Sequence, residues 1–219
     1  MAENNTKKTG RSYAGLSQQE RKKMRYEQFM QAGLEVFGSS GYRQATVRGM
    51  CRQAQLTDRY FYESFGSLEK LLVAVYERCM TSLSNQILQV LMAEPKASID
   101  ERLEAGLQCF FTTLEDSRVA RVIMLEVEGV SPEVSDITQG YMLNFARLMA
   151  ELSLQLYPHW QLQQDEKEVI GIAVIGAMRQ LATSWLLSEY DMPKSTLVKV
   201  SARIMKGAIQ QIELDQQPA

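Results

Sequence analysis

The chain has 219 residues, of which 45% are hydrophobic and 23% are charged, a composition that is ordinary for a soluble globular protein. Few prolines and long stretches with a 3.6-residue apolar period argue against a sheet, so we predict an all-α fold. Residues 1–80 carry 13 Lys and Arg against 8 Asp and Glu, whereas the remainder carries 11 against 18. A basic first third before an acidic remainder is typical of a nucleic-acid-binding domain joined to a domain with another task, although random scatter of charge can give similar totals.

Cysteine and histidine are few and scattered. The three cysteines, Cys51, Cys79 and Cys109, lack the spacing of metal ligands, and the single histidine, His159, is far from them in sequence. We therefore expect no metal site and no cofactor. The first residues are polar, with no following apolar run of the kind found in signal peptides, which favours the reducing cytoplasm.

The chain begins with a polar segment and a basic helix. Residues 1–16 contain almost nothing to bury, so we predict a disordered basic arm that either reaches along DNA or stays a solvated tail. Ser17 and Glu20 have the spacing of a capping box, which predicts a first helix over about residues 18–38. Four basic residues occupy its first turns: Arg21, Lys22, Lys23 and Arg25. The helix dipole prefers acids there, so this cluster indicates an outside anion such as phosphate.

Residues 46–65 have the pattern of two short helices separated by a sharp turn. Thr46 can cap the first helix, and an apolar face follows at i, i+3, i+4 and i+7. Gln55 and Leu56 break that pattern, and Thr57 can cap a second helix. In the second helix Phe61 and Phe65 are four residues apart and are expected to face inward. The residues left on or beside the outward face are Asp58, Arg59, Tyr60, Tyr62 and Glu63. This surface suits the major groove of DNA and predicts a helix-turn-helix.

Five more helices are expected after the fourth helix, which Ser67 can cap and which runs toward Leu91. A Ser-x-x-Glu capping box at Ser98 starts the next helix, and a shorter one is predicted from Arg118 to about Glu128. Ser131 followed by Pro132 is a strong start signal for a long helix.

The last two predicted helices are the most apolar part of the chain. Residues 169–187 raise the question of a membrane span, but Arg179, Gln180 and Thr183 interrupt the run, so we predict a buried helix of a soluble bundle and no membrane partner. Pro193 opens the final helix. These two helices could pair with the same two helices of another copy to form a homodimer.

The segment over about residues 20–78 resembles the DNA-binding domain of the tetracycline-repressor (TetR) family. The matching positions are Phe37, Gly41-Tyr42, Thr46-Val47, Leu56-Thr57, Phe61-Tyr62, Phe65 and Leu71-Leu72. Two positions depart from that family's pattern: Gln55 stands where a turn glycine is usual, and Leu68 where a lysine is usual. The resemblance implies a DNA-binding domain over residues 17–78 and a ligand-binding and dimerisation domain over residues 79–219.

Specific DNA reading requires side chains that reach base edges, held in register by phosphate contacts. We predict that Arg59 contacts guanine, that Tyr60 packs on a thymine methyl and that Arg48 lies near the groove. Asp58 is expected either to orient Arg59 or to favour the helix dipole. By the resemblance, Tyr62 would bind a phosphate through its hydroxyl, and the further backbone contacts would be Thr46, Thr57 and Lys70. The alternative for the two tyrosines is packing in the core.

A helical core of this family usually holds a small-molecule effector, which the resemblance therefore implies here. The candidate lining residues are Phe110, Phe111, Met124, Tyr141, Phe145, Met149, Met178 and Trp185, with Arg121, Glu126 and Glu128 as polar anchors. This set favours a hydrophobic effector, and the alternative for each member is a plain core or surface role.

We predict a homodimeric, sequence-specific regulator that binds a palindromic double-stranded DNA operator and represses transcription until an inducer releases it. A helical enzyme would need a nucleophile with its base, or a metal cluster, and the sequence contains neither pattern. The remaining alternative is a helical protein-interaction or ligand-binding module without specific DNA binding.

Overall fold

The computed structural model describes residues 17–94 and 96–216, and within these ranges the chain is helical with no strand. The predicted arm over residues 1–16 lies outside the described residues. The helices are α1 (Gln18–Ser39), α2 (Val47–Ala54), α3 (Asp58–Ser64), α4 (Leu68–Ala93), α5 (Ile99–Thr113), α6 (Ser117–Arg121), α7 (Pro132–Leu156), α8 (Gln164–Leu187) and α9 (Lys194–Asp215). The all-α prediction is confirmed.

The first three helices and the start of α4 pack around an aromatic centre, which we call the head. Phe29 of α1, Phe61 of α3 and Leu72 of α4 are fully buried. The ring of Phe61 meets that of Phe29 edge to face, with centroids 5.4 Å apart. This geometry is favourable for aromatic pairs and fixes the angle at which α3 crosses α1.

Side-chain caps begin most helices as the sequence predicts. Ser17 and Ser98 form reciprocal capping boxes with Glu20 and Glu101. Simple hydroxyl caps occur at Thr46, Ser67 and Ser131. The expectation for Thr57 is wrong, because its side chain makes no capping hydrogen bond to α3.

Helix α4 joins the head to the rest of the chain. It has 26 residues, which corresponds to about 39 Å of continuous helix. Leu71 and Val75 near its start lie against Gly33 of α1, and Leu91 near its end lies against Gly106 of α5. It also packs against α7, where Tyr76 meets Tyr141. The same rigid element therefore belongs to the head and to the helical core that follows.

Helix α6 continues into a π-helical segment, Val122–Glu126, which we call the π segment. The sequence predicts one short helix from Arg118 to about Glu128, and the wider winding was not foreseen. Three successive residues of the segment, Val122, Ile123 and Met124, are all buried. A π turn is rare and is found often at functional sites.

Helix α8 is buried on one side only. It is the one helix of the described residues that is long and apolar enough to cross a membrane, with a mean hydropathy of 1.4 over its most apolar stretch. Only 22% of that stretch is buried within the protein. Backbone contact with α7 is close at Gly171, where an added Cβ would lie 3.1 Å from the Ala146 carbonyl oxygen. The opposite side of α8 carries exposed Val169, Ile172 and Leu187. The sequence predicts a buried helix of a soluble bundle, whereas one apolar face of α8 stays exposed within the part of the chain that the structure describes.

Candidate DNA-binding and effector sites

The turn between α2 and α3 positions the candidate recognition helix. Gln55 adopts the left-handed conformation, with φ 55° and ψ 39°, at the position where the family pattern has glycine. The Leu56 N–H donates to the Cys51 carbonyl at 3.0 Å, which closes the corner. A non-glycine residue tolerates this conformation at some cost in free energy. The chain thus retains the sharp turn that a helix-turn-helix requires.

Helix α3 presents Arg59 and Tyr62 to solvent. The Arg59 side chain is 82% exposed, and its Nε lies 2.8 Å from Glu63 Oε1 one turn away. This carboxylate raises the pKa of the Arg59 guanidinium. Asp58 Oδ1 accepts the Arg59 N–H at 2.9 Å at the N-terminus of the helix, and the Arg59 side chain is paired with Glu63 rather than with Asp58. Tyr62 is 58% exposed, which excludes core packing as its role.

Tyr60 lies at the side of α3, against α1. The Arg25 guanidinium carbon stands 4.2 Å from the centre of the Tyr60 ring, which is a cation–π contact. The ring is half-buried and packs against the core of the head. Tyr60 thus lies between the two helices at the wall of the groove that they form, and its contact with a thymine methyl stays a prediction.

A basic groove runs between α1 and α3. Its walls contain the cations Arg21, Lys22, Arg25 and Arg59. The other predicted DNA contacts, Thr46, Arg48, Thr57 and Lys70, are all exposed. Ser67 Oγ accepts the Lys70 N–H at 3.1 Å, so Lys70 belongs to the first turn of α4. The head therefore carries exposed cations on α1, α2, α3 and the start of α4.

The helical core contains an apolar cavity of about 180 Å³. It lies between α4, α5, α7, α8 and α9. Four predicted residues line it: Phe110, Phe145, Met149 and Met178. Helix α5 contributes more of the wall than was predicted, with Ile99, Leu103, Gly106 and Phe110 at helical spacing. The same 3.6-residue period in the sequence could have identified this face.

The other seven candidates, including the anchors Glu126 and Glu128, do not line the cavity. Phe111 is fully buried and meets Trp185 edge to face at 5.8 Å, so both belong to a packed core. Met124 is buried in the π segment, and Tyr141 packs edge to face on Tyr76. The predicted anchor Arg121 pairs with Glu126 at 2.7 Å, beside the head.

The charged side chain of the cavity wall was missed. Arg102 lines the cavity and donates to the backbone carbonyls of Leu91 and Ala97, at 3.1 and 3.2 Å. It joins the end of α4 to the start of α5. Sequence reasoning overlooked it because a single arginine in a helix has no periodic signal.

The architecture is that of an all-helical chain with a helix-turn-helix head and a cavity in its helical core. No protein-family profile matches the chain. Two relatives are similar to this chain over most of its length. The fatty acid metabolism regulator protein of Bacillus subtilis is 23% identical over 184 residues, spanning 78% of this chain and 89% of the relative. The HTH-type transcriptional activator FasR of Mycolicibacterium smegmatis is 24% identical over 188 residues, spanning 85% of this chain and 84% of FasR.

Solved structures share the fold. A TetR-like transcriptional regulator from Rhodococcus has a TM-score of 0.65 at 16% identity, covering 85% of this chain and 96% of the regulator. The transcriptional regulator FadR from Bacillus subtilis, solved with stearoyl-CoA, has a TM-score of 0.70 at 20% identity, covering 82% of this chain and 96% of FadR. The chain therefore has the fold of the TetR-type regulators, as its sequence predicts. The two relatives described above are named as regulators of transcription or metabolism and not as enzymes.

Proposed function

We propose that this chain is a sequence-specific DNA-binding transcriptional regulator that acts in the cytoplasm. The observation that carries the proposal is the exposed face of α3. Arg59 and Tyr62 point to solvent there, while Phe61 of the same helix is fully buried. A helix anchored on one side and bearing an exposed guanidinium on the other can enter a major groove and read guanine.

The charges around α3 support contacts to the DNA backbone. Arg21 and Lys22 lie along the same groove as Arg59. Cations in this arrangement would neutralise phosphates and hold α3 in register, while Tyr62 donates its hydroxyl to a phosphate. The N-terminus of α4 follows directly, and helix N-termini favour anions.

DNA binding can be tested by fluorescence anisotropy with duplex DNA from immediately upstream of the coding region, against a random duplex. Tight binding to the upstream duplex alone supports the proposal. Equal and steeply salt-dependent binding to both would indicate that the head contacts phosphates only or that the operator lies elsewhere. Binding to neither duplex would favour the protein-interaction module.

We also propose a homodimer formed through α8 and α9. Their outer faces carry Val169 and Ile172 on α8, and Val200 and Ile204 on α9, all at least 40% exposed. The residues recur at helical spacing, and an added Cβ at Gly176 would meet nothing within 4 Å. Such a stripe resembles half of a four-helix interface around a two-fold axis. The mass in solution, measured by light scattering, tests the assembly.

We propose that the effector is a hydrophobic molecule with a long acyl chain. The cavity wall is built from Leu, Ile, Val, Phe and Met side chains with few polar groups. The fold neighbour FadR was solved with stearoyl-CoA. At about 180 Å³ the cavity is smaller than the roughly 300 Å³ and more of typical ligand pockets, so binding would separate its helices.

Stearoyl-CoA, with coenzyme A alone as the control, is the first probe for this site. A repressor should release its DNA when stearoyl-CoA is added and not when coenzyme A is added. Tighter DNA binding would instead indicate that the ligand promotes DNA binding, and it would contradict release by an inducer. No effect of stearoyl-CoA on DNA binding, and no binding to the protein, would contradict the acyl-chain proposal.

In the dimer, two copies of α3 would occupy successive major grooves roughly 34–36 Å apart. We propose that ligand binding tilts α4, which reaches from the head to the cavity wall at Ile87 and Leu91. The tilt changes the distance between the heads and weakens DNA binding. Spin labels on the two heads measure this distance, and an unchanged distance with lost DNA affinity would refute the tilt.

A further inference from the structure

One carboxylate of the π segment is hydrogen-bonded to the backbone of the head. The Glu126 side chain is only 9% exposed, and its Oε1 accepts from Arg121 Nε at 2.7 Å. Its Oε2 accepts the backbone N–H of Tyr42 at 2.6 Å. Tyr42 begins the single 3₁₀ turn that connects α1 to α2. Glu126 thus holds the backbone from which the helix-turn-helix starts.

The fit between this carboxylate and the head is close. Gly41 has a φ of 85°, and a Cβ added there would lie 3.0 Å from Glu126 Oε2. A side chain at this position would displace the carboxylate or strain the backbone. The packing leaves the Glu126 carboxylate little room to move independently of the 3₁₀ turn.

The other side of the π segment is bound to the cavity wall. Arg179 of α8 donates to the Met124 carbonyl at 3.3 Å and pairs with Glu128. The preceding residue, Met178, is buried and lines the cavity. A shift of α8 that makes room for a ligand beside Met178 therefore acts on the π segment through the adjacent Arg179.

We propose that Glu126 and Arg179 are positioning residues that couple the cavity to the helix-turn-helix through the π segment. This inference rests on the proposed function, whose ligand response it would transmit alongside α4. The sequence of contacts runs from Met178 and Arg179 to the Met124 carbonyl, then through the π segment to Glu126 and the Tyr42 N–H. The π segment suits this role because its wide turn can be reorganised without breaking a longer helix.

Hydrogen exchange of the whole protein, without DNA or ligand, tests the connection. Glu126→Gln replaces a charged acceptor by a neutral one and should speed exchange over residues 40–47 by about tenfold. Arg179 lies on the other side of the π segment, and Arg179→Met should speed exchange over the same residues several-fold. Arg179→Lys keeps the positive charge and should keep exchange slow. Glu104→Gln is the matched control, because it affects an exposed ion pair with Lys206 between α5 and α9. It should leave exchange over residues 40–47 unchanged.

The decisive variant is Arg179→Met. Faster exchange confined to the π segment and residues 40–47 supports the coupling. Faster exchange across α5 as well would show general destabilisation and overturn it, as would unchanged exchange at residues 40–47. If Glu126→Gln fails to fold, Arg179→Met and Arg179→Lys still decide the question.

DNA binding of the wild type distinguishes this failure from failure of the proposed function. Unchanged exchange in Arg179→Met, together with specific DNA binding, refutes only the coupling. The other case is faster exchange at residues 40–47 in Arg179→Met, together with a wild-type protein that binds neither the upstream nor the random duplex. That result refutes the proposed function, and with it the regulatory role of these contacts.

Discussion

Replacing Arg59 by alanine should separate DNA recognition from folding. The Arg59 side chain is 82% exposed and its partner Glu63 is 46% exposed. An ion pair this exposed contributes little to the free energy of unfolding, because solvent screens it. A bidentate contact of arginine with guanine contributes about 1–3 kcal/mol to discrimination between bases. Arg59→Ala should therefore lose about 5- to 150-fold in operator affinity while its urea midpoint hardly changes.

Two control variants sharpen this test. Glu63→Gln leaves Arg59 in place and removes the competing carboxylate, so DNA affinity should stay equal or rise. Arg147→Ala removes an exposed arginine of α7, far from the head in sequence, and should change neither property. Affinities are measured by anisotropy at one salt concentration, on the operator duplex and on a random duplex. Undiminished affinity and sequence preference in Arg59→Ala would refute this role of α3.

Three further variants or conditions test the rest of the structure. Ile172→Glu places a charge in the exposed stripe of α8 and should give a monomer by light scattering. A dimer that persists in this variant would show that the interface lies elsewhere. A Cβ at Gly38 would lie 2.4 Å from Arg118 Cβ. Gly38→Ala should therefore lower the free energy of unfolding by about 1–3 kcal/mol and lower the melting temperature. An unchanged melting temperature would contradict this packing. Burial raises the pKa of Cys79 to about 11 and that of Tyr76 to about 12. The unfolded chain loses both protons at lower pH than the folded chain does. The free energy of unfolding, measured by urea titration, should therefore fall between about pH 9 and pH 12. A free energy of unfolding that stays constant over this range would contradict the burial of these two groups.

Local signals in the sequence predicted most helix starts, because a cap depends on residues three or four positions apart. Ser98 and Glu101 satisfy each other within one turn, and so do Thr46 and Gly49. Thr57 is the exception. Its residue type fits a cap, but rotation of its side chain is not fixed by the residues around it in sequence.

The π segment and the cavity depend on contacts between distant residues. Glu126 and Tyr42 are 84 positions apart, so no local pattern could pair them. Phe110 and Phe111 are neighbours of the same type, yet Phe110 lines the cavity and Phe111 packs against Trp185. Which of two adjacent aromatic residues faces an opening is decided by the placement of other helices.

The two departures from the family pattern have different structural results. Gln55 accommodates the left-handed conformation that glycine adopts more easily. Leu68 packs against the core of the head, where a lysine could instead reach a phosphate. The loss of one contact to a DNA phosphate at this position therefore stays a prediction. The cations on α1 are positioned to contact other phosphates.

Selection of DNA from a random-sequence duplex library by the intact protein tests the central claim most directly. A dimeric reader that inserts α3 into successive major grooves should enrich a palindrome with half-sites about 10 base pairs apart, centre to centre. The Arg59→Ala variant should lose preference at a guanine within each half-site. Recovery of no enriched sequence, or of a single site without two-fold symmetry, would contradict the account.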